Sequence, residues 1–165
     1  MVSTARAARR LTAGEASVLA TLKAASRREG WLRGRAALKK LLGKDLDSSA
    51  LRFPHPEVSL THAGEVAVAV HCKGARGTGV DLELRPPSER AARRFLSPAE
   101  FAAAQGPDDW LLFWTVKEAC FKADLRNRGR TVLDYAVRDP RFRHASVRAF
   151  GGWLTVAVAR SPRPR

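Results

Sequence analysis

The chain of 165 residues has only two cysteines, one tyrosine and no apolar run long enough to span a membrane. Cys72 and Cys120 are too few and too far apart for a disulfide framework or a zinc site, and they fit a reducing cytosol. We therefore expect a cytoplasmic protein without a membrane partner. A chain of this length can bury one sizeable core, or two small cores that share an interface.

Acidic residues are scarce as well, because sixteen Asp and Glu face thirty Lys and Arg, which leaves a formal net charge of +14. A balance this basic suggests a polyanionic partner such as an acidic protein, a phosphorylated ligand or nucleic acid. Arginine-rich segments such as residues 125–130 favour nucleic acid. The single tyrosine and the lack of a stacking-aromatic motif, a helix-turn-helix or a zinc spacing argue against it.

The most informative segment is Trp114-Thr-Val-Lys-Glu-Ala-Cys-Phe-Lys-Ala123. Together with the residues before it, it predicts a helix with apolar side chains on nearly every face, which should be largely buried. Charge is costly in such surroundings unless it is paired or binds a ligand. Lys117, Glu118 and Lys122 nevertheless lie in this segment, and Glu118 and Lys122 are one turn apart on the same face. This combination predicts a functional site on a core helix.

A second informative segment is the predicted strand Gly79-Val-Asp-Leu-Glu83, whose alternation puts Asp81 and Glu83 on one face. Alternating acids are usually the wet face of a strand, and Lys-Glu-Ala triplets occur by chance in many helices. Their joint occurrence favours a site. Asp81, Glu83 and Glu118 form an oxygen set suited to Mg²⁺, which takes one or two protein carboxylates together with water and substrate phosphate.

These motifs together resemble the 4′-phosphopantetheinyl transferases, and specifically a short member of the surfactin-type branch, in which one chain carries both halves of a pseudodimer. The resemblance covers about residues 27–125. The segments that carry it, in chain order, are Ser59-Leu-Thr-His62, Val66-Ala-Val-Ala-Val70, Gly79–Glu83, Leu96-Ser-Pro-Ala-Glu100 and Trp114–Lys122. It implies an α+β fold, a pseudo-two-fold pair of helix-plus-three-strand subdomains with the active site in the cleft between them.

The division into halves has some support in the sequence itself, because residues 65–70 and 154–159 are two similar alternating segments. We expect an N-terminal half over residues 1–84, a C-terminal half over residues 85–160 and a disordered tail over residues 161–165. The first half would contribute Asp81 and Glu83, and the second Glu118 and Lys122. Since two halves complete one site, a monomer is expected.

The resemblance implies transfer of 4′-phosphopantetheine from coenzyme A to a serine of an acidic acyl or peptidyl carrier protein, with release of 3′,5′-ADP. Fatty-acid, polyketide and nonribosomal-peptide carriers all qualify. Asp81, Glu83 and Glu118 would hold Mg²⁺ or Mn²⁺, and Glu118 would double as the base. Lys122 would bind a diphosphate oxygen. A carrier-docking surface is expected near Phe95, Phe101 and Phe121.

The remaining coenzyme A contacts are expected mainly from the first half. His62, with Thr61 or Ser59, would contact a phosphate. The other candidates are Arg28 and Arg35 for the 3′-phosphate and Lys117, which either steadies the site or lies at its rim. Gly30 stands where family members often carry an arginine. A degenerate transferase that serves as a carrier-docking or regulatory module is a further alternative.

Local signals predict the elements around these motifs. A capping box of Thr12 and Glu15 opens a helix to about Ser26, and a second helix ends at Gly43. The other predicted elements are a helix over residues 88–105, the motif helix capped by Asp108, a strand that leads into His62, and strands at 66–70, 79–83, 132–137, 146–150 and 153–159.

Overall fold

The computed structural model describes residues 11–161, so the predicted tail lies outside the described residues from residue 162 onward. The helices are α1 (Ala13–Thr21), α2 (Ala25–Leu42), α3 (Glu89–Phe95), α4 (Pro98–Ala103) and α5 (Pro107–Ala123). The strands are β1 (Val58–Ala63), β2 (Val66–His71), β3 (Thr78–Glu83), β4 (Phe142–Ala149) and β5 (Gly152–Ala159). Within these residues, no helix is long and apolar enough to cross a membrane.

The strands form two antiparallel sheets. β1 and β2 make a two-stranded sheet, and the second sheet has the order β3-β5-β4. Asp81 of β3 is opposite Thr155 of β5, which in turn is opposite Ser146 of β4. β1 lies beside β3, because the Val80 amide donates a hydrogen bond of 3.0 Å to the Ser59 hydroxyl. Helices combined with antiparallel sheets confirm the predicted α+β class and agree with the fold that the resemblance implies.

The strand pairing crosses the boundary expected at residue 84. β3 precedes that boundary, yet it is hydrogen-bonded along its whole length to β5 of the second half. The sheet on which α5 packs is therefore built from both predicted halves. The division into halves stays a prediction, and β3 is the strand that joins them.

The contact between α5 and β3 brings the motif residues of the strand against the motif helix. Gly77 and Gly79 face α5, and a Cβ on either glycine would collide with the backbone carbonyl of Ala123 or Ala119. Side chains two residues apart share a face of a strand, so Asp81 and Glu83 face the same helix. On the core side of α5, Val116 and Cys120 are among the residues packed on the sheet. The helix is largely buried, as predicted.

Several predicted boundaries need correction. The capping box of Thr12 and Glu15 is present, but its helix ends at Thr21 and α2 begins at Ala25. The helix predicted over residues 88–105 is two helices, because Ser97 caps a new helix with Pro98 in its first turn. Each break coincides with a local cap that competes with continued helix.

Two further predictions were wrong in detail. Gly106, and not Asp108, is the N-cap of α5, with Pro107 in the first turn. The strand predicted over residues 132–137 is absent: residues Val132–Asp134 form a 3-10 turn opened by a capping box of Thr131 and Asp134. The strands predicted at 146–150 and 153–159 are confirmed as parts of β4 and β5, although β4 begins at Phe142 and ends at Ala149.

Candidate active site

Asp81 is the buried centre of the site. Its side chain lies on β3 facing α5, and the residue is only 3% exposed. The Oδ1 oxygen accepts hydrogen bonds from Lys122 Nζ at 2.7 Å and from Thr61 Oγ1 at 3.2 Å. The Oδ2 oxygen is buried and has no hydrogen-bond partner among the described residues. A buried carboxylate oxygen without a partner is costly, so this atom indicates a ligand position.

Glu118 and Glu83 complete an acidic cluster around Asp81. Burial raises the pKa of Glu118, and the charges of Asp81 and Glu83 raise it further, whereas the Lys122 ammonium lowers it. Burial and the charge of Asp81 likewise raise the pKa of Glu83, although Trp114 donates an indole hydrogen bond of 3.2 Å to it. Among the described residues, the only ion pair of these three carboxylates is the one between Asp81 and Lys122, so the cluster is short of positive charge.

The carboxylates of the cluster are oxygen ligands of the kind that a divalent cation binds. Among residues 11–161, no three carboxylate, histidine or cysteine side chains already stand in a metal-holding arrangement. The three predicted carboxylate ligands therefore do not form a complete coordination site by themselves. Mg²⁺ needs only one or two protein carboxylates, because water and substrate phosphate supply the other ligands. The unpartnered Asp81 Oδ2 and the raised pKa values of Glu83 and Glu118 fit such a cation.

Lys117 does not join this cluster. Its ammonium donates a hydrogen bond of 2.7 Å to the Phe95 carbonyl and forms an ion pair of 2.9 Å with Glu100. Glu100 also accepts hydrogen bonds from the amides of Ser97 and Val137, at 2.8 and 2.7 Å. Lys117 is therefore a buried brace that ties α3 and α4 to α5. These contacts give no support to its predicted role in coenzyme A binding.

Lys117→Met is expected to destabilise the protein by about 3 kcal/mol or more, because it leaves the largely buried Glu100 carboxylate without its ammonium. Urea unfolding of the two proteins measures this difference. A double variant that also carries Glu100→Gln should recover part of the loss. A variant as stable as the wild type, but deficient in coenzyme A affinity, would instead support the predicted binding role.

The Ser59–His62 segment supports β3 from β1. Ser59 and Thr61 are buried, and their hydroxyl groups are engaged by the Val80 amide and by Asp81. His62 is exposed, and a Cβ on Gly30 would lie 2.9 Å from its Nε2 atom. The glycine therefore makes room for the imidazole, which gives a physical reason for the missing arginine at this position.

The two predicted arginines of α2 are in different situations. Arg28 is exposed. Arg35 lies over the Trp31 ring, with 5.0 Å to its centroid, and donates a hydrogen bond of 3.2 Å to the Ser48 carbonyl. Burial lowers the pKa of Arg35, and the nearby charge of Glu15 opposes that effect. Arg35 thus belongs to a network between α1 and α2, and no contact joins it to the acidic cluster within residues 11–161.

Three contacts of the site were not predicted. They are the hydrogen bond from Thr61 to Asp81, the one from Trp114 to Glu83 and the ion pair between Lys117 and Glu100. The Ser97 to Glu100 spacing is a capping-box signature that the sequence does show. The reach of Glu100 to Lys117 depends on how α4 packs against α5, which no local pattern encodes.

The raised pKa of Glu118 predicts a pH-dependent stability. A folded-state pKa above the unfolded value of 4.5 means that the folded state holds the proton more tightly. The stabilising contribution is complete below the unfolded pKa and is lost as the pH rises through the folded pKa. Without divalent ions, the stability of the wild type relative to Glu118→Gln should therefore fall as the pH rises from the unfolded pKa through the folded pKa. Urea unfolding at several pH values measures this difference, and a constant difference would contradict it.

Residues 77–156 match the sequence model of the 4′-phosphopantetheinyl transferase superfamily. The match covers just under half of the chain, runs from the start of β3 into β5 and includes Asp81, Glu83, Glu118 and Lys122. No curated protein is a significant match for the chain. The family match supports a phosphopantetheine transferase activity in general.

Proposed function

We propose that the protein transfers 4′-phosphopantetheine from coenzyme A to a serine of an acidic acyl or peptidyl carrier protein, which yields the holo-carrier and 3′,5′-ADP. The observation that carries the proposal is the meeting of Asp81 with Glu118 and Lys122, within the region that matches the superfamily. The unpartnered Oδ2 of Asp81 supports a diphosphate-binding cation beside this carboxylate. We also propose that one chain is sufficient, as in the surfactin-type branch.

The residues of the cluster would neutralise the diphosphate in two ways: the carboxylates hold a cation, and Lys122 contacts a phosphate oxygen. When bound, Mg²⁺ or Mn²⁺ held by Asp81, with Glu83 and Glu118, would neutralise the diphosphate and its leaving group. Lys122 supplies a fixed cation, because Asp81 and the Val80 carbonyl, at 2.7 and 3.3 Å, hold its ammonium. A compact ammonium in a defined position binds a phosphate oxygen as a point charge.

Glu118 has the properties of a general base for the carrier serine. Its pKa is raised by burial and by neighbouring carboxylates, which makes the deprotonated form a better proton acceptor. In the proposed step, the serine oxygen forms a bond to the β-phosphorus of coenzyme A while the bond from that phosphorus to the bridging oxygen of 3′,5′-ADP breaks. The serine proton passes to Glu118, directly or through a water.

The coenzyme A contacts of the first half are proposed from the solvent exposure of the candidate side chains. His62 is exposed at the end of β1, and Arg28 is exposed on α2, so the side chains of both are accessible to a phosphate. Ser59 and Thr61 act through β3, because their hydroxyl groups are already engaged. Arg35 would have to leave Ser48 in order to bind the 3′-phosphate, so Arg28 is the stronger candidate of the two.

The proposal is tested by mass spectrometry of a panel of apo-carriers incubated with coenzyme A and Mg²⁺. We expect one carrier or more to gain the phosphopantetheine mass. Lys122→Ala should lose this activity, whereas Arg90→Ala, at an exposed position on α3, should retain it. Carriers that bind without being loaded would favour the degenerate docking module. Salt-dependent retention on DNA that competes with loading would favour nucleic-acid binding.

A further inference from the structure

We propose that an acidic, amphipathic protein helix docks on the end of the molecule where α5 terminates, and that this helix belongs to the carrier. The inference rests on the proposed function. The surface, here named the basic end, consists of Lys73, Arg76, Leu125, Arg126 and Arg128, all of which are exposed. It combines a cluster of cations with an exposed aliphatic side chain.

Two segments meet at the basic end. The turn between β2 and β3 reaches the end of α5, because Gly77 packs so closely on Ala123 that a Cβ there would collide with the Ala123 carbonyl. Lys73 and Arg76 are exposed on this turn. The loop that leaves α5 starts at Asp124 and carries the other cations. Residues from two distant parts of the chain therefore share one surface.

The loop is held in a defined shape. Asp124 accepts hydrogen bonds from the Arg126 amide at 2.8 Å and from the Tyr135 hydroxyl at 2.9 Å. Asn127 donates a hydrogen bond of 3.0 Å to the Phe121 carbonyl at the end of α5. Arg130 is paired with Asp124 at 3.2 Å. A loop fixed in this way presents its side chains with little further loss of conformational freedom on binding.

The cations of the basic end are available to a partner. Within the described residues, Lys73, Arg76, Arg126 and Arg128 form no ion pair, unlike Arg130 on the same loop. Leu125 is 46% exposed beside them. An exposed leucine among unpaired cations is complementary to a helix that carries both acidic and apolar residues.

The composition of the surface argues against single-stranded nucleic acid as the partner. Proteins that bind single-stranded nucleic acid stack its bases on exposed aromatic side chains. The basic end has none, because Tyr135, beneath the loop, is only 1% exposed. The surface also replaces the docking site predicted near three phenylalanines. Phe95 is buried, Phe101 stacks on Trp110 and Phe121 packs on Tyr135.

The position of the surface suits the proposed reaction. Leu125 follows Lys122 by only three residues, and the Lys122 ammonium contacts Asp81 in the active site. α5 ends at Ala123, and three residues of chain span at most about 11 Å. A helix docked on Leu125 would therefore present a neighbouring serine close to the acidic cluster.

The test measures binding of an apo-acyl carrier protein whose acceptor serine is replaced by alanine, so that no transfer occurs. The double variant Arg126→Glu with Arg128→Glu reverses two charges of the basic end. Arg90→Glu with Arg94→Glu makes the same charge change on α3, where both arginines are exposed. We expect the first pair to weaken binding about tenfold or more, and the ratio of its Kd to that of the wild type should increase at low salt. The control pair should change the Kd less than twofold, and coenzyme A affinity should be unchanged in both.

The outcomes separate this inference from the proposed function. Equal binding by the wild type and the Arg126/Arg128 variant, or an equal loss in the control pair, would overturn the docking surface even if the wild type loads carriers. Stronger binding of duplex DNA than of the carrier at this surface would also overturn it. A wild type that binds the carrier through the basic end but never loads one would support the surface and contradict the proposed activity.

Discussion

Glu118→Gln is expected to slow carrier loading by about a thousandfold, because it removes both a proton acceptor and a negative charge at the cation position. Glutamine has nearly the same shape, so the fold should persist. Burial and the neighbouring carboxylates already raise the pKa of Glu118, which means that loss of its charge relieves repulsion in the free protein. Steady-state rates with coenzyme A, Mg²⁺ and one carrier measure the effect.

A matched variant distinguishes this effect from a general loss of acidic charge. Glu65→Gln makes the same chemical change at an exposed position in the turn between β1 and β2. That variant should load carriers at the wild-type rate. A Glu118→Gln enzyme within tenfold of the wild type would show that Glu118 is neither the base nor part of the cation site.

Gly79→Ala is expected to destabilise the protein by about 3 kcal/mol or more, at the upper end of overpacking effects. The new Cβ would meet the Ala119 carbonyl and the Ala123 amide of α5, and rigid backbone cannot yield as a flexible side chain can. To relieve the contact, β3 must move away from α5, which also separates Asp81 from Lys122. We therefore expect loading activity to fall together with the midpoint of urea unfolding.

Gly129→Ala serves as the control for conformational strain alone. Gly129 has a φ of 80° but open space around its Cβ position, so the substitution costs only about 1 kcal/mol. It lies in the loop after α5 and touches no residue of the acidic cluster. If Gly79→Ala were no more destabilising than Gly129→Ala, the close approach of β3 and α5 would not be the reason for the glycine.

The acidic face of β3 shows what the alternation of residues can and cannot predict about a strand. Alternation correctly put Asp81 and Glu83 on one face of the strand. It could not distinguish a face turned to water from one turned to a helix, because the two patterns are identical. Gly77 and Gly79 carry the missing information, since they occupy the same face and permit α5 to lie against it.

The direction of Lys117 could not be predicted for a related reason. Periodicity put it about 100° around α5 from Glu118, but its partner Glu100 lies on another helix. The prediction of a strand over residues 132–137 was wrong, because local hydrogen bonds at a turn compete with the alternating pattern that predicted the strand. The Thr131 amide donates a hydrogen bond of 2.7 Å to the Asp134 carboxylate, and the Asp134 amide donates one of 3.1 Å to the Thr131 carbonyl, which closes a turn there.

Calorimetric titration of coenzyme A with and without Mg²⁺, on the wild type and on Asp81→Asn, tests the cluster most directly and needs no carrier. Asparagine keeps the shape of Asp81 and a hydrogen-bond acceptor for Lys122, but removes the negative charge from the buried carboxylate. We expect Mg²⁺ to tighten coenzyme A binding in the wild type and to have no effect in the variant. Coenzyme A binding that ignores Mg²⁺ in the wild type, or a variant that still responds to it, would contradict a diphosphate-binding cation at Asp81.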